Sequence, residues 1–348
     1  MSNGRTRKNG AYEVKIRIWG SENMNKKKTV EYGKYGYMFI APFFIVFLIF
    51  QLYPLIYTIY LSFVTYYFKG LDGVVKGGWN NFKNYGDVLF GTRSGVFLDT
   101  EVCVAIRNTI IMWVCNFIPQ ILLALVLAAW FTDNVVKLKG QGAYKVIMYM
   151  PNIITASTIA VLFYSLFSMN GPISGMMRNA GIISQEYNFM EHAGWSMGFI
   201  AFMQFWMWYG NTMIVLIAGI LGINPSLYEA AMVDGASGTQ QFFNITLPLL
   251  KPIIQFTLVT SAIGGLQMYD IPALFNVDQS YRGLPVVDNF GATDTITMII
   301  RAYGITARNY GKAAAASMLL FAVTLVISIV FFILTRDREP KQKHAVIR

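Results

Sequence analysis

Gln204, Trp208 and Asn211 stand at i, i+4 and i+7 within an apolar stretch that carries no charge, so a helix there would present them on one face. An indole flanked by amides suits a polyhydroxylated ligand, because the ring covers apolar C–H faces while the amides bond hydroxyls. With the helix starting near Trp195, Trp208 would lie about 20 Å along it, away from an interfacial aromatic belt. The competing role is helix packing, in which Gln and Asn bond a neighbouring helix. Side chains for covalent or acid–base chemistry do not gather anywhere. Asp270 follows Tyr269 at the edge of an apolar stretch, but an intramembrane aspartyl protease needs a second aspartate, and no other such stretch carries an acid. His192 and His344 are far apart and lack ligand companions, so no metal site is implied. Cys103 and Cys115 fall on one expected helix, roughly 18 Å apart, which is too far to pair. They read as buried small apolar residues.

A second feature is mechanical. The stretch 224–252, NPSLYEAAMVDGASGTQQFFNITLPLLKP, is a polar two-helix connector between apolar blocks. Asn224 suits an N-cap and Pro225 a first helical turn, and Gly235 can end the helix in a left-handed conformation. Ser237 restarts the chain as a helix with Gln240 as its capping-box partner, and Pro248 and Pro252 are expected to stop it. Two short helices set at an angle make a knob that another protein can grip.

These features must be carried by membrane spans. The chain is 55% hydrophobic and 13% charged, and its apolar residues are clustered. Six blocks free of Asp, Glu, Lys and Arg, at 35–68, 108–132, 146–177, 192–228, 252–269 and 313–335, can each hold a helix of about 20 residues. The fold class is therefore all-α, polytopic, with six spans, rather than a β-barrel of alternating segments. The first block begins too late and runs too long for a cleaved signal peptide. With both tails inside, eighteen basic residues face the cytosol and eight face out, so the positive-inside rule places both termini and the 222–251 connector in the cytosol. The organisation is a basic tail at 1–34, a membrane domain at 35–335 and a short tail at 336–348. Loops 69–100, 168–194 and 271–310 are external, with a short helix expected at 295–303. The net charge of +10 lies largely in tails suited to anionic lipid, and no aromatic-basic module suggests nucleic acid.

Glu229-Ala230-Ala231, Asp234-Gly235-Ala236 and Ile245-Thr246-Leu247-Pro248 together resemble the EAA loop of ABC importer permeases, in the spelling of the carbohydrate-uptake type. Met150-Pro151, Trp208, Gly210 and Gly311-Lys312-Ala313-Ala314 extend the resemblance over 35–335. It implies the type I importer fold in its compact six-helix form, and a partnership with a second, different permease chain, two ATPases and an extracytoplasmic sugar-binding protein. It implies coupling to the ATPases through Glu229, Ala230, Ala231, Asp234, Gly235, Leu247 and Pro248. It also places Asn152 and Met268, Tyr269 and Asp270 on a substrate pathway with Gln204, Trp208 and Asn211. ATP and magnesium would be bound by the partner ATPases, since this chain has no Walker motif and no cofactor is expected in it. Arg107 and Lys312 lie only at span ends, which favours a neutral carbohydrate over a phosphorylated solute of the glycerophosphate type. A stand-alone secondary transporter would want coupling acids within its spans, and Asp270 at an edge is the lone candidate.

Overall fold

Long charge-free runs of Leu, Ile, Val, Phe and Met can satisfy their backbone in hydrocarbon only as helices, and helices dominate. The computed structural model describes residues 33–69, 73–90, 100–133, 139–275, 291 and 293–335. The basic stretch 1–32, the tail 336–348 and residues 276–290 and 292 of loop 271–310 lie outside the described residues. Residues 33–55 belong to one compact unit and residues 56–335 to another. The first unit holds α1 (Gly33–Phe47), a π-helical turn (Leu48–Leu52) and the start of α2 (Tyr53–Ser62). Its large apolar side chains other than Leu52 are exposed, Phe39 by 84%.

In the second unit, the chain after α2 leaves the all-α expectation. Val64–Phe68 forms β1, antiparallel to β2 (Val74–Trp79), with Tyr66 opposite Lys76 and Phe68 opposite Val74. The run Val-Thr-Tyr-Tyr-Phe is β-branched and aromatic, a composition that favours strand once a partner is available. The ring of Phe63 stacks on Trp79 at 4.9 Å and meets Phe82 and Tyr85, which folds this segment back. From α3 (Lys83–Phe90), Asn84 Nδ2 donates to the carbonyls of Ser62 and Val64 at 3.0 and 2.9 Å, closing the hairpin base.

The central pair is α4 (Glu101–Thr132) and α8 (Ala193–Leu221), which pack along their lengths. The buried face of α4 runs through Ala105, Thr109, Met112, Trp113, Asn116 and Gln120, a helical repeat. Cys115 lies off that face and is exposed, and Cys103 is half-buried, so neither is the buried residue that composition suggested. Between these helices, the third apolar block is broken into α5 (Gln141–Tyr149), a 3₁₀ turn at Met150–Ile153, α6 (Ala156–Phe167) and α7 (Pro172–Asn179). Pro151 ends the first piece and the Thr155 side chain caps the next.

The connector has the expected caps. The Asn224 side chain accepts from Ser226 N–H at 3.1 Å to start α9 (Pro225–Val233). Gly235, at φ +77°, closes it in a Schellman motif, with Ala236 N–H on Ala231 O and Gly235 N–H on Met232 O. Ser237 and Gln240 form a reciprocal capping box for α10 (Gly238–Gln241). Pro248 does not stop the chain: a π turn (Phe242–Thr246) leads into α11 (Leu247–Leu249), with Pro248 in its first turn. A proline in a first turn loses nothing, since that N–H has no helical acceptor. The chain bends by 63° between Gly238–Leu249 and Lys251–Phe275, which comprises α12 (Lys251–Leu266) and α13 (Asp270–Phe275). Then come α14 (Ile296–Arg301), a π turn (Ala302–Thr306) and α15 (Tyr310–Thr335). Five helical stretches among the described residues are long and apolar enough to cross a membrane, or six if the bent pair is one span. The 16 residues of α12 reach only about 24 Å, which is why it needs its neighbours.

Candidate functional site, a polar cavity and an exposed connector

The facing sides of α4, α8 and α12 enclose a cavity of about 610 Å³. From α8 come Gln204, Trp208 and Asn211, one helical face as their spacing requires, with Trp208 47% exposed. Trp113, Asn116 and Gln120 come from α4, and Phe256, Thr257, Thr260 and Ser261 from α12. Past the end of α12, Met268, Tyr269 and Asp270 complete one lip. The structure thus gathers six of the seven expected pathway residues around one space. Asn152 is the exception, being absent from the lining. Its Nδ2 donates to Met207 O at 3.1 Å, so its amide is spent on helix packing beside the cavity wall.

Sequence reasoning missed Trp113. It is buried, and its Nε1–H donates to Ser261 Oγ at 3.2 Å, binding α4 to α12. Gly265 lies against the indole, so a Cβ there would enter the ring. A deep tryptophan facing a Gly-Gly pair is a long-range complementarity that one segment cannot announce. Gln120 Nε2 donates to Thr212 Oγ1 at 2.7 Å, joining α4 to α8, and Asn116 Nδ2 donates to Met112 O at 3.2 Å. The Thr257 hydroxyl is buried at the wall and, among the described residues, has no hydrogen-bond partner. The lining holds aromatic rings, amides and hydroxyls, and among the described residues Asp270 is its one carboxylate and no Lys or Arg takes part. Such a surface can stack on and hydrogen-bond a neutral polar solute. It lacks the paired groups of acid–base catalysis, and no cluster of three metal-ligating side chains occurs among the described residues.

The connector is different in kind. No residue of α9 is buried, and Glu229, Ala230, Asp234, Gly235 and Pro248 are exposed, while Ala231 and Leu247 are half-buried. Tyr228 OH and Thr246 Oγ1, 2.9 Å apart, tie α9 to the π turn and hold the two short helices at a set angle. Val233 at its tip is 88% exposed, an apolar side chain that its own chain leaves uncovered.

Comparison with known proteins gives the family. Residues 106–342 match the family model described as "Binding-protein-dependent transport system inner membrane component". The lactose transport system permease protein LacF of Rhizobium radiobacter is 29% identical over 311 residues, covering 88% of this chain and 96% of that protein. The arabinooligosaccharides transport system permease protein AraP of Bacillus subtilis is 27% identical, covering 84% and 86%. A chain from a bacterial ABC transporter importing the acidic polysaccharide alginate superposes with a TM-score of 0.64 at 27% identity, over 87% of this chain and 95% of that one. A chain from a bacterial alginate ABC transporter in complex with an alginate pentasaccharide-bound periplasmic protein gives a TM-score of 0.66 at 26% identity, covering 87% and 94%. These relatives are transport subunits rather than enzymes, and the chain belongs to the family of binding-protein-dependent transport system inner membrane components.

Proposed function

We infer that the chain is a membrane-embedded permease subunit of an ATP-driven importer for a neutral carbohydrate, an oligosaccharide by analogy with its relatives. The observation that carries this reading is the cavity lining: Trp113, Trp208 and Tyr269 offer ring faces, Asn116, Gln204, Asn211 and Gln267 offer amides, and among the described residues no Lys or Arg lines it. A ring stacked on a sugar face gains from apolar contact, while the amides replace the water its hydroxyls lose. One relative imports an acidic polysaccharide. An anionic sugar here would meet Asp270 and no Lys or Arg in the lining, so the neutral class is favoured.

The importer reading assigns the rest of the chain. Six spans, with Lys251–Phe275 as the fifth, place both termini and the connector on the cytosolic side of a prokaryotic cell membrane. The connector docks on one of two ATPases, which supply ATP and magnesium, and Glu229 makes a charge-assisted bond to a basic residue there. A second permease chain completes the pathway, and an extracytoplasmic binding protein delivers the sugar. Closure of the ATPase dimer draws the connector with it, and because α12 continues from α11 across one bend, that motion reaches the cavity wall in an alternating-access cycle.

The test is uptake of labelled neutral oligosaccharides by the native host carrying Trp208→Ala or Gln204→Leu, with membrane insertion checked. Trp208→Ala should raise the half-saturation concentration about tenfold, equivalent to about 1.4 kcal/mol of lost contact. Unchanged uptake by both variants would remove the cavity from the transport path.

A further inference from the structure

The cavity lip Met268–Asp270 spans a break between helices: α12 ends at Leu266 and α13 begins at Asp270. At this break the regular ladder thins to turn bonds, Met268 N–H on Gly265 O at 3.3 Å and Ala273 N–H on Tyr269 O at 3.0 Å, so contacts from outside add to what fixes its position. Two side chains of α14 do so. Thr297 Oγ1 donates to Met268 O at 2.5 Å, and the Arg301 guanidinium donates to the Tyr269 hydroxyl and lies 5.3 Å from the centre of its ring. Thr297 and Arg301 are four residues apart, so one face of α14 makes both contacts.

The grip is only as firm as α14, and α14 is fixed from its other side. Ile296 is fully buried and its N–H donates to Thr109 Oγ1 at 3.1 Å, while Asn108 Nδ2, also on α4, donates to Gly291 O at 2.5 Å. In the turn that follows, the Tyr303 hydroxyl donates to Glu101 Oε2 at 3.4 Å. Burial first, then the Glu101 charge and hydrogen bond, push that phenol up to about 12, so it stays a donor at neutral pH. The break is thus clipped to α4 through a short, well-anchored helix, at the end of α12 remote from the connector.

We propose that Thr297 and Arg301 are positioning residues that hold Met268–Asp270 on the cavity lip and set how open that lip is to solute. Neither lines the cavity; both act through Met268 and Tyr269. The inference rests on the reading of the cavity as the transport pathway, and the two can be told apart.

The experiment uses the assembled importer in native-host membranes, with Cys103→Ser and Cys115→Ser removing the native thiols. Gln267→Cys places one thiol on the lining, beside the clipped residues but outside both contacts. The rate of its reaction with the impermeant thiol reagent trimethylammonium-ethyl methanethiosulfonate is then measured in variants of the clip. Arg301→Ala and Thr297→Val should each change that rate about three- to tenfold, the scale of one hydrogen bond. Arg301→Lys, which keeps a cation for the Tyr269 ring, should restore the rate most of the way. Thr297→Val removes a hydroxyl at constant shape, so a change there is not a folding failure. A reactive thiol whose rate is the same in all variants would overturn the clip and leave the pathway standing. A thiol unreactive in every background would overturn the pathway reading, and the clip with it.

Discussion

The connector and the cavity differ in where their information lies. In the connector, each residue acts on its neighbours: Asn224 caps at two residues' distance, Ser237 and Gln240 cap each other at three, and Gly235 turns the chain where it stands. The cavity has no such locality. Trp113 answers Ser261 and Gly265 across about 150 residues, and Gln120 answers Thr212 across about 90. The first region is an exposed shape held by its own local bonds, and the second is an interior built by contacts between three helices.

Two glycines sharpen the contrast. Gly265→Val should have the largest effect, since its side chain must enter the Trp113 ring. Overpacking of that kind costs on the order of 1–3 kcal/mol, and thermal denaturation in detergent should show a clear fall in Tm. Gly235→Ala meets nothing within 4 Å and has only its φ of +77° to oppose it. It should cost about 1–2 kcal/mol, as a local loosening of the connector seen by hydrogen exchange rather than a fall in global Tm. A global fall with Gly235→Ala would show that the connector is not a separable part. Next comes Gln120→Leu, which leaves Thr212 unanswered between α4 and α8. Interhelical hydrogen bonds in membranes average about 0.6 kcal/mol, so the shift should be small but measurable. Smallest is Lys312→Met, which breaks a pair with Asp87 at 3.7 Å whose side chains are 31% and 40% exposed. Solvent screening leaves it about 0–1 kcal/mol, and a Tm within a degree or two of wild type is expected.

The same locality explains what could be read from the chain. Caps, the Schellman glycine and the face shared by Gln204, Trp208 and Asn211 follow from spacing within one helix or turn, and the structure has each of them. Pro248 was expected to end a helix and instead begins one, because a proline's effect depends on whether its N–H had an acceptor. The β1–β2 hairpin was hidden because Val64–Phe68 extends a charge-free block, and its partner strand contains Gly77 and Gly78. Strand pairing is a tertiary fact there. Asn152 looked like Asn211 in the sequence, yet one packs against Met207 and the other faces the cavity. An amide in a span declares only that it needs a partner, not whether the partner is a helix or a solute.

The central claim is that the exposed connector is the part through which an ATPase acts on the cavity. The most direct test is Glu229→Lys in the native host with all partner subunits present, reading ATPase co-purification and sugar uptake together. Loss of both, with normal membrane insertion of this chain, is the predicted result. An intact complex with undiminished uptake would contradict it.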